Sequence, residues 1–125
     1  MGLERKLLPS KAKGKEYEVL LGGQKLYVRT LEYEDGRLGE IFIDAHNSAE
    51  MRSLLGCFAL SVSLGLQHEV PLEDYVEFFV STRSKQQGQV SGDPDIKSAT
   101  SILDYVFRRL GADYLGRKDL LQSCK

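Results

Sequence analysis

The sequence predicts an α+β domain, with three β-strands followed by three helices. Two observations support this class. In the first third of the chain apolar and polar residues alternate, which is the period of a half-buried strand. In the remainder, apolar residues recur at intervals of three and four, which is the period of an amphipathic helix. Strand-type and helix-type segments are separated along the chain, so we expect a three-stranded antiparallel sheet with all three helices packed on one face.

The strands are predicted at about 15–21, 24–31 and 38–44. The alternating segments KEYEVLL and QKLYVRT flank Gly22-Gly23, a pair that suits a two-residue hairpin turn. The third segment, GEIFIDA, follows Asp35-Gly36, a second turn motif. Three strands with one apolar face are not stable alone in water, so the helices must cover that face.

The helices are predicted at about 48–66, 71–81 and 94–110. Asn47 precedes the first helix and has Glu50 three residues later, which is a capping-box pattern. Pro71 suits the first position of the second helix, and Asp93 is the expected N-cap of the third. The polar segment 81–93 between them is predicted to be a loop.

The first helix is unusually apolar. Its predicted stripe includes Met51, Leu55, Phe58 and Val62, and further leucines widen it. We therefore expect this helix to be buried on more than one side.

Length and composition indicate one globular domain. The chain has 125 residues, 42% of them hydrophobic and 28% charged. The net charge of −1 excludes a strong overall field for nucleic acid or an anionic membrane, so neither is expected as a partner. Two cysteines without paired spacing and the absence of a leader motif favour a reducing, cytoplasmic setting. Residues 1–14 are predicted to be a basic, flexible arm, 15–117 the domain, and 118–125 a tail.

Two groups of polar residues are candidate sites. Glu40, Asp44 and His46 fall on one side of the third strand and its exit, which places two carboxylates and an imidazole on the same face. The alternative is a hydrated strand face whose side chains only solvate the sheet.

Arg29, Thr82 and Arg83 are candidate contacts for an anion or a partner protein, the alternative being solvated side chains. Zinc sites require about four converging ligands, and neither paired cysteines nor a histidine pair at helical spacing occurs. Nucleophile elbows, phosphate loops and dinucleotide motifs are also absent from the sequence. We therefore assign no catalytic, cofactor-binding or metal-binding residue.

Three long motifs resemble one known family. YEDGRLGEIFID, SLGLQHEVPLE and SATSILDY, within a segment from about Gly22 to Arg117, are similar to the C-terminal TSCPD domain of adenosylcobalamin-dependent (class II) ribonucleotide reductases. In that family a large barrel holds the cobalamin, a thiyl-forming cysteine and a reducing cysteine pair. The resemblance implies that adenosylcobalamin belongs to the full-length family and not to this chain.

The resemblance also marks where this chain differs. In the reductase version, the Thr-Arg pair is followed by Phe-Glu-Pro, whereas Thr82-Arg83 is followed here by Ser84-Lys85. Related domains have clustered cysteines near this loop, and STRSKQQGQVSGDPD has none. The family's paired tail cysteines are matched here only by Cys124. No catalytic residue is therefore transferred by the resemblance.

Three functional hypotheses follow. The first is a non-catalytic relative of the reductase domain that acts by protein–protein association, with a reductase large chain or with itself. The second is an accessory piece of a split vitamin B12-dependent reductase. The third is a nucleotide- or nucleic-acid-binding module that uses Arg29, Arg83 and the basic N-terminal arm.

Overall fold

A computed structural model of the protein describes residues 4–85 and 87–121, and it is an α+β fold as predicted. The strands are β1 Glu16–Leu21, β2 Gln24–Glu32, β3 Leu38–Ala45, β4 Gly88–Ser91 and β5 Ser98–Ala99. The helices are α1 Ala49–Gln67, α2 Leu72–Phe79 and α3 Ile102–Leu115, followed by a short 3-10 helix at Lys118–Leu121. All pairings in the sheet are antiparallel, and the strand order is β3-β2-β1-β4-β5.

The prediction of a three-stranded sheet was wrong, because the sheet has five strands. The two missed strands are short and lie where a loop and the start of a helix were expected. Leu21 pairs with Val90, and Gln89 pairs with Ser98. β4 is mostly polar and β5 has two residues, so neither shows the alternation over four or more residues that predicts a strand.

The boundaries predicted for α3 were also wrong. The helix begins after Ser101, whose hydroxyl accepts a hydrogen bond from Asp104 N, and it ends at Gly116 in the left-handed conformation with φ of 67°. Asp93 does not cap it. The Asp93 carboxylate accepts from the N–H groups of Asp95 and Ile96, both at 2.8 Å, in a turn that leads into β5.

Smaller corrections concern the other helix ends. Ser48, not Asn47, is the N-cap of α1, and its hydroxyl accepts from Met51 N at 3.2 Å. α2 ends at Phe79 and not at residue 81, because Ser81 has a left-handed φ of 72° and its N–H donates to Asp104.

α1 lies along the free edge of β3, and its side chains form hydrogen bonds with some of the unpaired backbone groups of that strand. The Ser63 hydroxyl accepts from Ile41 N at 2.9 Å, and the Gln67 amide donates to Gly39 O at 3.0 Å. An edge strand exposes unpaired backbone groups that invite pairing with another chain. These two side chains therefore cover this edge from within the same protein.

Only one side of α1 is buried, which corrects the expectation of burial on several sides. Its inner side contributes Leu55, Ala59, Val62 and Leu66 to the core. Of the helices in the described ranges, α1 alone has the length and apolar composition of a membrane span, with a mean hydropathy of 1.3. One side of α1 packs on β3, and 28% of this apolar window is buried.

An aromatic cluster joins the three helices. Phe58 of α1 meets Phe79 of α2 edge to face at 5.3 Å between ring centroids, and Phe79 stacks on Phe107 of α3 at 5.2 Å. Gly65 of α1 lies directly under the Tyr75 hydroxyl, where a Cβ atom has no room. α1 and α2 therefore pack closely, while the sharing of one sheet face by all three helices stays a prediction.

The N-terminal segment contacts the domain at several points. Arg5 Nε donates to the Gln67 side chain at 2.6 Å, and Lys6 N donates to Gln67 O at 2.8 Å. Lys13 forms an isolated bridge with Glu32 of β2. These contacts lie within residues 1–14, the range assigned above to an arm.

Candidate functional site

A surface cleft with a volume of about 570 Å³ lies along the three long strands, and Gly56 and Ala59 of α1 also line it. Strand alternation points Val19, Val28 and Ile43 to the core, so their neighbours point to solvent. The exposed lining consists mainly of Glu16, Glu18, Tyr27, Arg29, Phe42 and Asp44. We call this surface the sheet face.

Aromatic rings form the floor of the sheet face. Tyr27 and Phe42 keep 39% and 38% of their surface exposed, which is high for residues in the middle of paired strands. Arg29 stands opposite Phe42 in the strand register, and its guanidinium lies 4.5 Å from the centre of that ring. Such a contact orients both side chains and contributes about 0.5–1 kcal/mol at an exposed site.

Carboxylates outnumber cations on the sheet face. The strand residues that point outward include four acids and two bases, namely Glu16, Glu18, Glu40, Asp44, Lys25 and Arg29. One of these carboxylates, Asp44, is paired with Arg52 of α1, so the net negative charge of the sheet face is small.

The structure does not gather Glu40, Asp44 and His46 into one reactive cluster. Glu40 and Asp44 are four residues apart on β3, roughly 13 Å along the strand. Both Asp44 oxygens are held by Arg52, at 2.9 and 2.8 Å, and this hydrogen-bonded pair lowers the pKa of Asp44. His46 is exposed beyond the end of β3 and shares a shallow cleft with Asp44, Lys25 and Arg52.

Arg29, Thr82 and Arg83 lie on different parts of the fold. Arg29 belongs to the sheet face, whereas Thr82 lies between α2 and α3. The Thr82 hydroxyl donates to Phe79 O at 2.9 Å and lies 2.8 Å from the Ser101 hydroxyl. Arg83 is exposed on the loop that follows. The described contacts give Thr82 a structural role in joining two helices.

A buried ionic cluster around α3 was missed from the sequence. Arg109 forms ion pairs with Asp93 at 2.9 Å and with Asp113 at 3.0 Å, and the side chains of Arg109 and Asp93 are 5% and 0% exposed. The hydroxyls of Tyr17 and Tyr105 donate to Asp113 and Asp93, at 2.6 and 2.7 Å. Burial and these carboxylate partners raise the pKa of both tyrosines. This cluster connects β1, the turn after β4 and α3.

A second buried pair lies one turn away on α3. Asp104 and Arg108 are 3.2 Å apart, with side chains 3% and 2% exposed. Asp104 also accepts from Ser81 N at 2.6 Å and from Thr100 N at 3.1 Å. Arg108 donates to Ser98 O and Leu120 O. The pair therefore joins the end of α2, β5, α3 and the 3-10 helix.

Among residues 4–85 and 87–121, no group of three His, Cys, Asp or Glu side chains is arranged to hold a metal ion. Asp93 and Asp104 accept hydrogen bonds from arginines and backbone N–H groups, and Asp113 accepts from Arg109 and the Tyr17 hydroxyl. The exposed aromatic floor with its acidic surroundings remains the best candidate site.

Comparison with known proteins identifies the family. The family model described as the TSCPD domain matches residues 4–114. Vitamin B12-dependent ribonucleotide reductases are similar to this chain: that of Bradyrhizobium diazoefficiens is 53% identical over 118 residues, that of Agrobacterium fabrum 52% over 118, and that of Streptantibioticus cattleyicolor 38% over 112. No solved structure matches the chain.

The extent of these matches is uneven. The first two alignments cover 94% of this chain but 9% of each relative, and the third covers 89% of this chain and 18% of that relative. The similarity is thus confined to one domain of much longer proteins. This chain belongs to the TSCPD domain family, and it is similar to a C-terminal domain of vitamin B12-dependent ribonucleotide reductases.

Proposed function

We propose that this chain is a non-catalytic association domain in deoxyribonucleotide metabolism. It binds a class II ribonucleotide reductase large chain through the sheet face, in the cytoplasm. The observation that supports this most is the family match, because in its relatives the same domain is part of the reductase polypeptide itself. Adenosylcobalamin and the reduction chemistry belong to the large chain in this proposal.

The composition of the sheet face supports a protein–protein contact. Tyrosine, phenylalanine and arginine are enriched where protein interfaces bind most strongly, and here they occupy adjacent strands. The surrounding carboxylates lead us to expect a basic partner surface. Opposite charges at the rim speed association and make it salt-dependent, while the buried rings supply most of the affinity.

The first test is binding of the purified chain to a class II reductase large chain, at low and high salt. We expect Phe42→Ala to weaken binding at least about tenfold, because truncation of a central aromatic residue typically has this effect. Phe78→Ala is the matched control, since Phe78 is 79% exposed on α2 and does not belong to the sheet face. Absence of binding by the wild type, or equal loss in both variants, would contradict the proposal.

The split-reductase hypothesis differs from this proposal in one measurable way. If the chain completes a reductase, ribonucleotide reduction by the large chain requires it; if it is an association domain only, the large chain is active alone. Comparing the turnover of the large chain with and without this chain separates the two.

Nucleotide binding is tested by titration with deoxynucleoside triphosphates and single-stranded DNA at two salt concentrations. The excess of carboxylates beside Arg29 leads us to expect no saturable binding at either concentration. A phosphate-driven contact would bind at low salt and weaken steeply as salt increases. That result would favour the third hypothesis over association.

A further inference from the structure

The outer side of α1 is apolar although it points away from the core. Leu54 and Leu60 are each 64% exposed and Leu64 is 44% exposed. Cys57 between them is also exposed. From Ser53 to Gln67 the sequence of α1 contains no charged residue. The exposed side of a helix in a soluble domain is ordinarily charged or polar, so this side requires a specific explanation.

Four residues define the seam that a partner helix would contact. Ser53, Cys57, Leu60 and Leu64 are all exposed, and they follow one another at intervals of four, three and four residues. This spacing places them in one line along the helix and is the spacing of helix–helix packing positions. We call this line the outer stripe of α1. It lies opposite the buried Leu55, Ala59, Val62 and Leu66.

The order of residue sizes along the outer stripe is self-complementary. Its N-terminal half has small side chains, Ser53 and Cys57, and its C-terminal half has the leucines. When two such stripes run antiparallel about their midpoint, Leu60 packs against Cys57 of the other copy and Leu64 against Ser53. A parallel arrangement would instead place leucine on leucine and serine on serine, which leaves gaps at one end.

We propose that the outer stripe of α1 binds the same stripe of a second copy of this chain, antiparallel, in a two-fold dimer. Self-association of this kind uses one patch twice, as most homodimers do. The uncharged stripe brings no like charges together when it meets itself. Leu60 and Leu64 of the stripe, with the exposed Leu54 beside it, give a suitable apolar centre for an interface of about 800 Å² per partner.

The charges around α1 also favour a second copy of the chain over a membrane as the partner of the outer stripe. The helix that packs beside α1, α2, has Glu73, Asp74 and Glu77 and no basic residue. Helices that lie in a membrane surface typically have lysine or arginine on the polar side, which attracts anionic lipid. The carboxylates of α2 would be repelled by such lipid. The cations at α1, namely Arg5, Lys6 and Arg52, lie towards the two ends of the helix, so the centre of a dimer seam stays uncharged.

The dimer goes beyond the proposed reductase contact, which uses a different surface. The mass of the protein in solution is the primary measurement, taken by light scattering over two decades of concentration. We expect twice 14.0 kDa for the wild type and 14.0 kDa for Leu60→Glu, because the variant places two carboxylates in the seam. Leu20→Glu is the control: Leu20 is 39% exposed on β1, on the sheet face, and this variant is expected to stay dimeric.

A cross-link tests whether the seam is centred near Cys57, and it leaves the wild-type stripe unchanged. In an antiparallel pair the two Cys57 residues lie close to the seam centre, so a short bis-maleimide should join them in a Cys124→Ser background. We expect the yield to fall at least tenfold in Leu60→Glu and to vanish in Cys57→Ser. This measurement also decides the question if Leu60→Glu fails to fold.

Three results would overturn the dimer. These are a wild type that is monomeric at every concentration, a Leu60→Glu variant that folds and remains dimeric, and a wild-type dimer that Cys57 cannot cross-link. Flotation of a monomeric wild type with anionic vesicles would assign the stripe to lipid instead. Phe42→Ala should weaken reductase binding but keep the doubled mass. Failure of the reductase proposal and failure of the dimer proposal can therefore be told apart.

Discussion

Buried and exposed ion pairs in this protein use the same residue types but have different consequences. Around α3, Arg109 with Asp93 and Arg108 with Asp104 are almost completely shielded from water. On the surface, Arg52 with Asp44 has side chains 56% and 46% exposed. Water screens the exposed pair and solvates each partner if the other is removed. A buried partner left alone has no such compensation, so the buried pairs fix the structure and the exposed pair does not.

The difference also concerns what the pairs connect. Asp44 and Arg52 join the end of β3 to the first turns of α1, which are neighbours along the chain. The cluster of Arg109 joins β1, the turn at Asp93 and α3, which are distant in sequence. Removing one member of the cluster is therefore expected to loosen several elements together.

The largest effect is expected for Arg109→Met. It leaves Asp93 and Asp113 without their cation in a buried site, and removal of one partner from a buried pair costs about 3–5 kcal/mol in unfolding free energy. Chemical denaturation measures this loss. Arg117→Met is the matched control, because Arg117 pairs with the exposed Asp119. A loss below about 1 kcal/mol for Arg109→Met would show that water reaches the cluster.

Asp104→Ala should have the next largest effect. Asp104 accepts hydrogen bonds from Ser81 N and Thr100 N in addition to its pairing with Arg108. We expect a loss of about 2–3 kcal/mol, because Ser81 N and Thr100 N lose their acceptor. The loss should be smaller than for Arg109→Met because Arg108 keeps its hydrogen bonds to Ser98 O and Leu120 O. Asp104→Asn keeps the shape and one acceptor oxygen, so its loss should be smaller. Equal losses in the two variants would contradict the role of these hydrogen bonds.

Acid should weaken the Asp93 site. Burial alone would raise the pKa of Asp93, but hydrogen bonds from Ile96 N, the Tyr105 hydroxyl and Asp95 N, together with Arg109, lower it below the ordinary value of 3.8. A carboxyl with a lowered pKa in the folded protein stabilises it above the ordinary pKa, and this contribution is lost as pH falls through the folded value.

We therefore expect the unfolding free energy to decrease as pH falls below 3.8. Exposed aspartates with lowered pKa values, including Asp44, act in the same direction, so Asp93→Asn is needed to isolate the effect. Its pH dependence should be shallower by up to about 1.4 kcal/mol per pH unit, the value for one proton. Urea denaturation at several acidic pH values measures both slopes, and identical slopes would contradict the assignment.

The sequence was sufficient to predict elements whose evidence is local. The hairpin at Gly22-Gly23 and the first three strands follow from alternation and turn residues, and the structure confirms them. α1 follows from its 3.6-residue period within one residue at each end. The exposed rings on β2 and β3 also follow from alternation, which places Tyr27 and Phe42 opposite the buried Val28 and Ile43.

Elements that depend on distant partners could not be predicted in this way. β4 and β5 exist because Val90 pairs with Leu21 and Ser98 with Gln89. Asp93-Pro94 is a valid helix start by local rules, but Arg109 and Tyr105 bind the Asp93 carboxylate sixteen and twelve residues later and hold it in a turn. Two adjacent arginines in a mostly apolar helix, with aspartates four residues before and after them, were the available indication, since such residues are seldom buried without acids nearby.

The smallest effect on the unfolding free energy is expected for Arg52→Ala. This variant tests the exposed ion pair in the comparison of buried and exposed pairs. Exposed pairs typically contribute 0–1 kcal/mol, so the unfolding free energy should change by no more than about 0.5 kcal/mol, and high salt should remove the difference. Thermal and urea denaturation at two salt concentrations measure this change. A loss comparable to that of Arg109→Met would mean that Asp44 and Arg52 are buried in solution, as a partner covering the end of β3 would bury them.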